Sequence, residues 1–163
     1  MQLIVRPIDE DSARTILRWQ YEPPYDIYDM GLAADDEGDV AEAVAYFFAN
    51  QFYAVFDEEA GELVAYCSFG PDGQVPGGDY SQTALDMGMG MRPDLTGQGL
   101  GEQFLATAVT FARQTFPAQK LRVTIAAFNT RAQRLYQKAG FVEVDRFKSE
   151  NGGRPFIIFV RDI

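Results

Sequence analysis

The chain has 163 residues, no histidine and a single cysteine, Cys67. Without histidine there can be no Ser-His-Asp triad, no Cys-His dyad, no helical two-histidine zinc site and no imidazole general base. A lone cysteine forms neither an internal disulfide nor a thiolate metal cluster. No apolar run approaches the roughly 20 residues of a membrane span. The opening Met1-Gln2-Leu3-Ile4-Val5-Arg6 is too short and too soon charged for a signal peptide. A soluble protein of a reducing compartment, most simply the cytoplasm, is the expectation.

Positive charge is also missing from a long stretch. Between Trp19 and Met91 there is no lysine or arginine, against fifteen Asp and Glu; from Arg92 onward eleven basic residues face six acidic ones. The net charge of −10 therefore hides an acidic middle and a basic C-terminal part. Overall acidity argues against general nucleic-acid binding, which needs a basic footprint. The split suits a protein that handles an anionic ligand on one side and a cationic one on the other. Two solvated faces kept charged for solubility would give the same pattern. What is present, 47% hydrophobic and 13% aromatic residues, suffices to bury a core, so residues 1–163 are read as one domain.

Hydrophobic periodicity sets the elements. Leu3 to Pro7 reads as a strand, and Asp9 or Asp11-Ser12 caps a helix through Ala13, Ile16, Leu17 and Trp19 that Pro23-Pro24 breaks. Tyr21 to Asp39 is loop-like, with a short helical turn around Ile27 to Met30, and Val40 to Asn50 is a second helix. Phe52–Phe56 and Leu63–Phe69 are strands joined by the turn Asp57-Glu58-Glu59-Ala60-Gly61. Gly70 to Gln82 is an exposed loop, followed by a strand from Thr83 to Met91 in which Gly88 and Gly90 suggest a bulge or a close approach. A long helix starts around Gly99 and ends before Pro117; Leu121 to Ala126 is a buried strand; Asn129 to Ala139 is a helix stopped by Gly140. Val142–Phe147 and Phe156–Val160 close the chain around the turn Ser149 to Gly153. The expected order is β-α-α-β-β-β-α-β-α-β-β, a mixed α/β fold.

Two segments carry the chemistry. In Met91-Arg92-Pro93-Asp94-Leu95-Thr96-Gly97-Gln98-Gly99-Leu100-Gly101-Glu102 a strand ends and a long helix opens from a glycine-rich turn. Such a turn points unpaired backbone N–H groups at one spot, at the positive end of a helix dipole, which is a seat for phosphate or pyrophosphate. The dinucleotide fingerprint fails because Glu102 stands where a glycine is needed, and the P-loop fails because no Gly-Lys-Ser/Thr is present. The second segment is Asn129-Thr130-Arg131-Ala132-Gln133-Arg134-Leu135-Tyr136-Gln137-Lys138-Ala139-Gly140-Phe141. On a helix it places Ala132, Leu135, Tyr136 and Ala139 on one face and Arg131, Arg134 and Lys138 on another.

Together, in this order, the two segments resemble the GCN5-related N-acetyltransferase (GNAT) superfamily. Pro-x-x-x-Gly-x-Gly-x-Gly is similar to the superfamily's acetyl-CoA pyrophosphate loop, and Asn-x-x-Ala-x-x-Leu-Tyr-x-Lys-x-Gly-Phe to its second CoA-contacting segment. The resemblance implies acetyl-CoA as co-substrate, no metal, and an enzyme that moves an acetyl group onto a primary amine. It implies CoA contacts from Thr96, Gly97, Gln98, Gly99, Leu100, Gly101, Glu102, Asn129, Ala132 and Lys138. Thr96 departs from the family's usual Arg or Gln at that place, which alters one side-chain contact and leaves the backbone amides.

Acetyl transfer needs a neutral nucleophile, a polarised thioester carbonyl and a proton for the departing thiolate. The resemblance points to Tyr136 as the general acid, since a phenol with a pKa of about 10 is matched to an alkyl thiol. It points to a backbone N–H of Met89 or Met91 as donor to the carbonyl oxygen, freed by a strand bulge. Asp86, in the strand that leads to the pyrophosphate loop, is the first candidate for the base, with Glu22, Asp26 and Asp29 as alternatives on the acceptor side. Cys67 lies mid-strand among apolar neighbours and reads as an inert core residue, so direct transfer in a ternary complex is expected. Trp19, Tyr21, Tyr25 and Tyr28 alternate with carboxylates around Pro23-Pro24, and could receive a cationic amine or simply pin a loop. A cationic small molecule or an exposed protein amine would fit, with monomer and homodimer both open. A non-catalytic CoA-binding module or a thioester hydrolase are the competing readings.

Overall fold

The computed structural model describes residues 1–30 and 36–163; part of the expected loop between Tyr21 and Asp39, at 31–35, lies outside them. The elements run β1 (Leu3–Pro7), α1 (Glu10–Leu17), α2 (Glu37–Ala49), β2 (Phe52–Asp57), β3 (Glu62–Phe69), β4 (Leu85–Met91), α3 (Gly101–Thr115), β5 (Lys120–Ala126), α4 (Thr130–Lys138), β6 (Val142–Lys148) and β7 (Pro155–Asp162). This is the order read from the sequence. The differences are local. α2 starts at Glu37 rather than Val40 because the Asp36 side chain caps it, accepting from the N–H groups of Gly38 and Asp39. The helical turn after α1 covers Tyr25–Tyr28 rather than Ile27 to Met30, and β4 begins at Leu85 rather than Thr83.

Seven strands form one sheet in the order β1-β2-β3-β4-β5-β7-β6. α3 and α4 close one core, in which Phe104, Leu105, Ala108 and Tyr136 pack on Val123 and Phe159. α1 and α2 close a second, in which Ile16, Val44, Phe47 and Trp19 pack on Phe52 and Ala54. Trp19, read either as an acceptor contact or as a pin for the loop, is a core residue whose ring lies 6.2 Å from that of Tyr66.

The pairing at the middle of the sheet shapes everything else. β4 and β5 run parallel, and they pair only at Leu85↔Leu121 and Asp86↔Arg122. Both strands continue beyond that point, β4 to Met91 and β5 to Ala126, without each other. The last paired position is itself an ion pair. Arg122 Nε donates to Asp86 Oδ1 at 2.7 Å and Nη2 to Oδ2 at 2.9 Å, while Gln74 Nε2 adds a bond to Oδ2 at 2.8 Å. Arg122 Nη1 also donates to the Gln82 carbonyl at 2.8 Å, and the guanidinium stacks 4.9 Å from the centre of the Tyr80 ring. Both charged residues are buried, with exposures of 3% and 4%. Charges so far from water persist because the fork geometry and the added bonds satisfy them.

Of the two readings of Gly88 and Gly90, a bulge or a close approach, the structure shows the second; the bulge expected to free a main-chain donor is absent from the β3–β4 pairing. β4 opposes β3 in unbroken register from Met87 to Met91. Close approach is what these glycines serve: a Cβ on Gly90 would collide with the Tyr66 ring, and one on Gly88 would stand 2.8 Å from Ser68 Oγ.

Removing one partner of the buried pair leaves the other uncompensated. Arg122→Ala is expected to cost about 3–5 kcal/mol in urea-monitored unfolding. The double replacement Asp86→Leu/Arg122→Met, which removes both charges, should cost less than Arg122→Ala alone.

Candidate active site

Where β4 and β5 part, a cleft of about 870 Å³ opens. Arg92 N–H donates to the Val64 carbonyl and Gly70 N–H to the Asp86 carbonyl, each at 2.8 Å. In an antiparallel ladder the main-chain groups alternate in direction. Asp86, Gly88 and Gly90 therefore turn their N–H and C=O toward β3, and Met89 and Met91 turn theirs the other way. Past the last pair with β5 no strand among the described residues meets them, so the N–H groups of Met89 and Met91 face the cleft. The Met91 carbonyl on the same side accepts from Tyr21 OH at 2.7 Å, which ties the loop after α1 to the end of β4.

One end of the cleft is built for an anion. After β4 the chain makes a tight turn at Pro93–Leu95, closed by Thr96 Oγ1 donating to the Pro93 carbonyl at 2.7 Å. Gly97 and Gly99 hold φ of +73° and +77°, a left-handed conformation that side chains disfavour. α3 then begins at Gly101 with no side-chain cap on its first turn. Among the described residues its leading N–H groups have no partner, and they carry the positive end of the dipole. Arg131, Arg134 and Lys138 of α4 border the same end. Arg131 Nη1 lies 3.6 Å from where a Gly97 Cβ would be, and its guanidinium sits 4.3 Å from the Tyr25 ring centre. Lys138 Nζ pairs with Glu102 Oε1 at 2.6 Å, offsetting a carboxylate that would otherwise repel a phosphate. Unpaired amides beside three cations fit the diphosphate of acetyl-CoA.

Tyr136 lines the cleft from α4 and is otherwise buried against Phe141, their rings 5.2 Å apart. Burial pushes its pKa well above the ordinary phenol value, so it stays protonated at any working pH. Asn129 caps α4, its Oδ1 accepting from Ala132 N–H at 3.1 Å, and its Nδ2 donates to Tyr28 OH at 3.0 Å. One amide hydrogen of Asn129 remains for a ligand. Cys67 is buried, and burial pushes its thiol up to about 12, which suppresses the reactive thiolate.

Of the residues singled out in the sequence, Tyr136, Met89, Met91, Thr96, Gly97, Gly99, Leu100, Gly101, Glu102, Asn129, Ala132 and Lys138 border this cleft. Gln98 does not; its Nε2 folds back onto the Asp94 carbonyl at 2.5 Å. Asp86 does not either, and this corrects its reading as the base. Both its oxygens are held by Arg122 at the closed vertex of the strands, away from the residues that line the cleft. Glu22, Asp26 and Asp29 also stay off the cleft, Asp29 accepting from Tyr21 N–H at 2.8 Å. The sequence reading missed Asp72, Ser68 and Tyr66, which line the end remote from α3, and the cleft position of Arg131 and Arg134. Asp72 sits in a loop without any local signal; the alternation of Tyr66 and Ser68 along β3 was the one available hint.

A central parallel pair that splays beside a glycine-rich helix start, with Tyr136 facing the gap, fits an acyl-CoA transferase. The chain belongs to the acetyltransferase (GNAT) family, whose model matches residues 11–141, and is thereby an acetyl-CoA-dependent N-acetyltransferase. Its fold is similar to that of the aminoglycoside acetyltransferase AAC(6')-Ib in complex with coenzyme A and kanamycin (TM-score 0.75, 19% identity, 99% of this chain and 95% of that one). It is similar to a chimera of the spermidine N-acetyltransferase SpeG from Vibrio cholerae and hSSAT (TM-score 0.74, 18% identity, 98% and 95%). A GNAT-family acetyltransferase from Bacillus anthracis also superposes (TM-score 0.75, 13% identity, 99% and 95%). No curated protein sequence matches the chain significantly.

A Cβ at position 99 meets no atom of the described residues within 4 Å, so its cost comes from the positive φ. Gly99→Val should lower stability by about 1–2 kcal/mol yet weaken acetyl-CoA binding at least tenfold, read by calorimetry, because the amides no longer converge.

Proposed function

We propose that the protein transfers the acetyl group of acetyl-CoA directly to a primary amine, both substrates bound together in the cleft. Acetyl-CoA supplies the activated acyl group. The amides from Gly97 to Glu102, with the cations of α4, grip its diphosphate. The observation that carries the reading is the pair of unpaired Met89 and Met91 N–H groups facing the same cleft as Tyr136. The N–H of Met89 or Met91 donates to the acetyl carbonyl oxygen, where fixed main-chain dipoles are worth several kcal/mol. Tyr136 holds the proton that the departing sulfur takes up. With Cys67 buried as a thiol, no acetyl-cysteine step is needed.

Opposite ends of the cleft differ in charge, with Arg131, Arg134 and Lys138 at one and Asp72 at the other. That contrast favours a cationic acceptor, either a small molecule or an exposed protein amine. The relatives that act on spermidine or bind kanamycin take amines of this kind.

Thiol release from acetyl-CoA is expected with part of an amine panel and not without amine. Release that needs no amine would mark a hydrolase; CoA binding with no release would mark a binding module. Tyr136→Phe should lower kcat about 10²-fold or more while leaving acetyl-CoA affinity unchanged. Because burial raises the Tyr136 pKa, kcat should show no loss from its ionisation up to about pH 10.

A further inference from the structure

Among the described residues, two carboxylates border the cleft, Asp72 and Glu102. Glu102 stands at the anion seat and is paired with Lys138. Asp72 stands at the other end, in the short turn Pro71–Gly73 after β3. Its Oδ2 accepts from Ser68 Oγ at 2.9 Å and its Oδ1 from Tyr46 OH at 2.5 Å. Both donors are neutral hydroxyls, which orient the carboxylate and bring no counter-charge. Among the described residues no Lys or Arg forms an ion pair with it.

Position completes the case. A Cβ on Gly88 would lie 3.8 Å from Asp72 Oδ2, so the carboxylate overhangs the residue directly before Met89, whose N–H faces the cleft. Tyr66 and Tyr21 border the same space, and burial holds both phenols neutral, with Tyr21 pushed up to about 12. Aromatic faces and one uncompensated carboxylate form a receptor for an ammonium group.

Resting on the acetyl-transfer reading, we infer that Asp72 is the acceptor-binding carboxylate, docking the ammonium of a cationic alkylamine and receiving its first proton. Of the three ammonium protons, one passes to Asp72, directly or through water, and on to solvent. The neutral nitrogen then forms the C–N bond as the C–S bond breaks. A second nitrogen proton replaces the one Tyr136 gives to sulfur, and the third stays on the amide. The products are the N-acetylamine, free CoA thiol and one proton in solvent.

The test compares a cationic alkyl diamine with an arylamine that is uncharged at neutral pH. Asp72→Asn should raise the KM of the diamine roughly 30-fold or more, leaving the KM values of the arylamine and acetyl-CoA unchanged. Tyr46→Phe, which removes a hydrogen bond but keeps the charge, should stay within a few-fold of wild type. An unchanged diamine KM in Asp72→Asn would overturn the inference. So would equal losses for both amines with a lowered melting temperature, the mark of a merely structural role. If the wild type binds acetyl-CoA but acetylates neither amine, the transfer reading fails. Calorimetry of the diamine against the CoA complex then still reads the Asp72 contact: binding lost in Asp72→Asn sustains it, and equal or absent binding overturns it.

Discussion

One buried ion pair marks the point from which the site develops. Asp86 and Arg122 occupy the last position at which β4 and β5 pair, and beyond it the strands separate. A parallel pair that kept its ladder would have spent the amides of Met89 and Met91 on a neighbouring strand. Because the ladder stops, those amides stay unpaired in a cleft that a ligand can enter. A backbone donor left free inside a protein is costly unless something meets it. In the proposed transfer the partner of these amides is the acetyl carbonyl of the substrate.

The charge split of the sequence acquires a spatial meaning on this frame. The basic C-terminal part supplies Arg131, Arg134 and Lys138 at the end where α3 points its N-terminus. The acidic middle, which has no basic residue from Trp19 to Met91, supplies Asp72 at the other end. Most of its other carboxylates are solvated or cap helices, as Asp36 does for α2. The two ends of one cleft thus suit an anionic coenzyme and a cationic acceptor.

What could be read without coordinates was what depends on neighbours in sequence. Element order follows from periodicity and capping, and the anion seat from glycines that open a helix within a few residues. The contacts that reach across the fold were hidden. Asp86 looked like a base because it lies in the strand before the pyrophosphate loop, but its partner Arg122 is 36 positions away on another strand. Asp72 gave no signal, since its orientation depends on Tyr46, 26 positions earlier in α2. Gly88 and Gly90 show a subtler limit. A glycine within a strand means either a bulge or a close neighbour, and the sequence cannot separate them. The free amides expected from a bulge arise instead from strand separation.

Backbone amide NMR under titration addresses the arrangement most directly. With CoA, the amides of Gly97 to Glu102 should shift; with acetyl-CoA, the Met89 or Met91 amide should move in addition, because the acetyl carbonyl is then present to accept its hydrogen. A ligand that binds tightly while leaving both strand amides unmoved between the two titrations, or that shifts amides outside the cleft instead, would contradict the account.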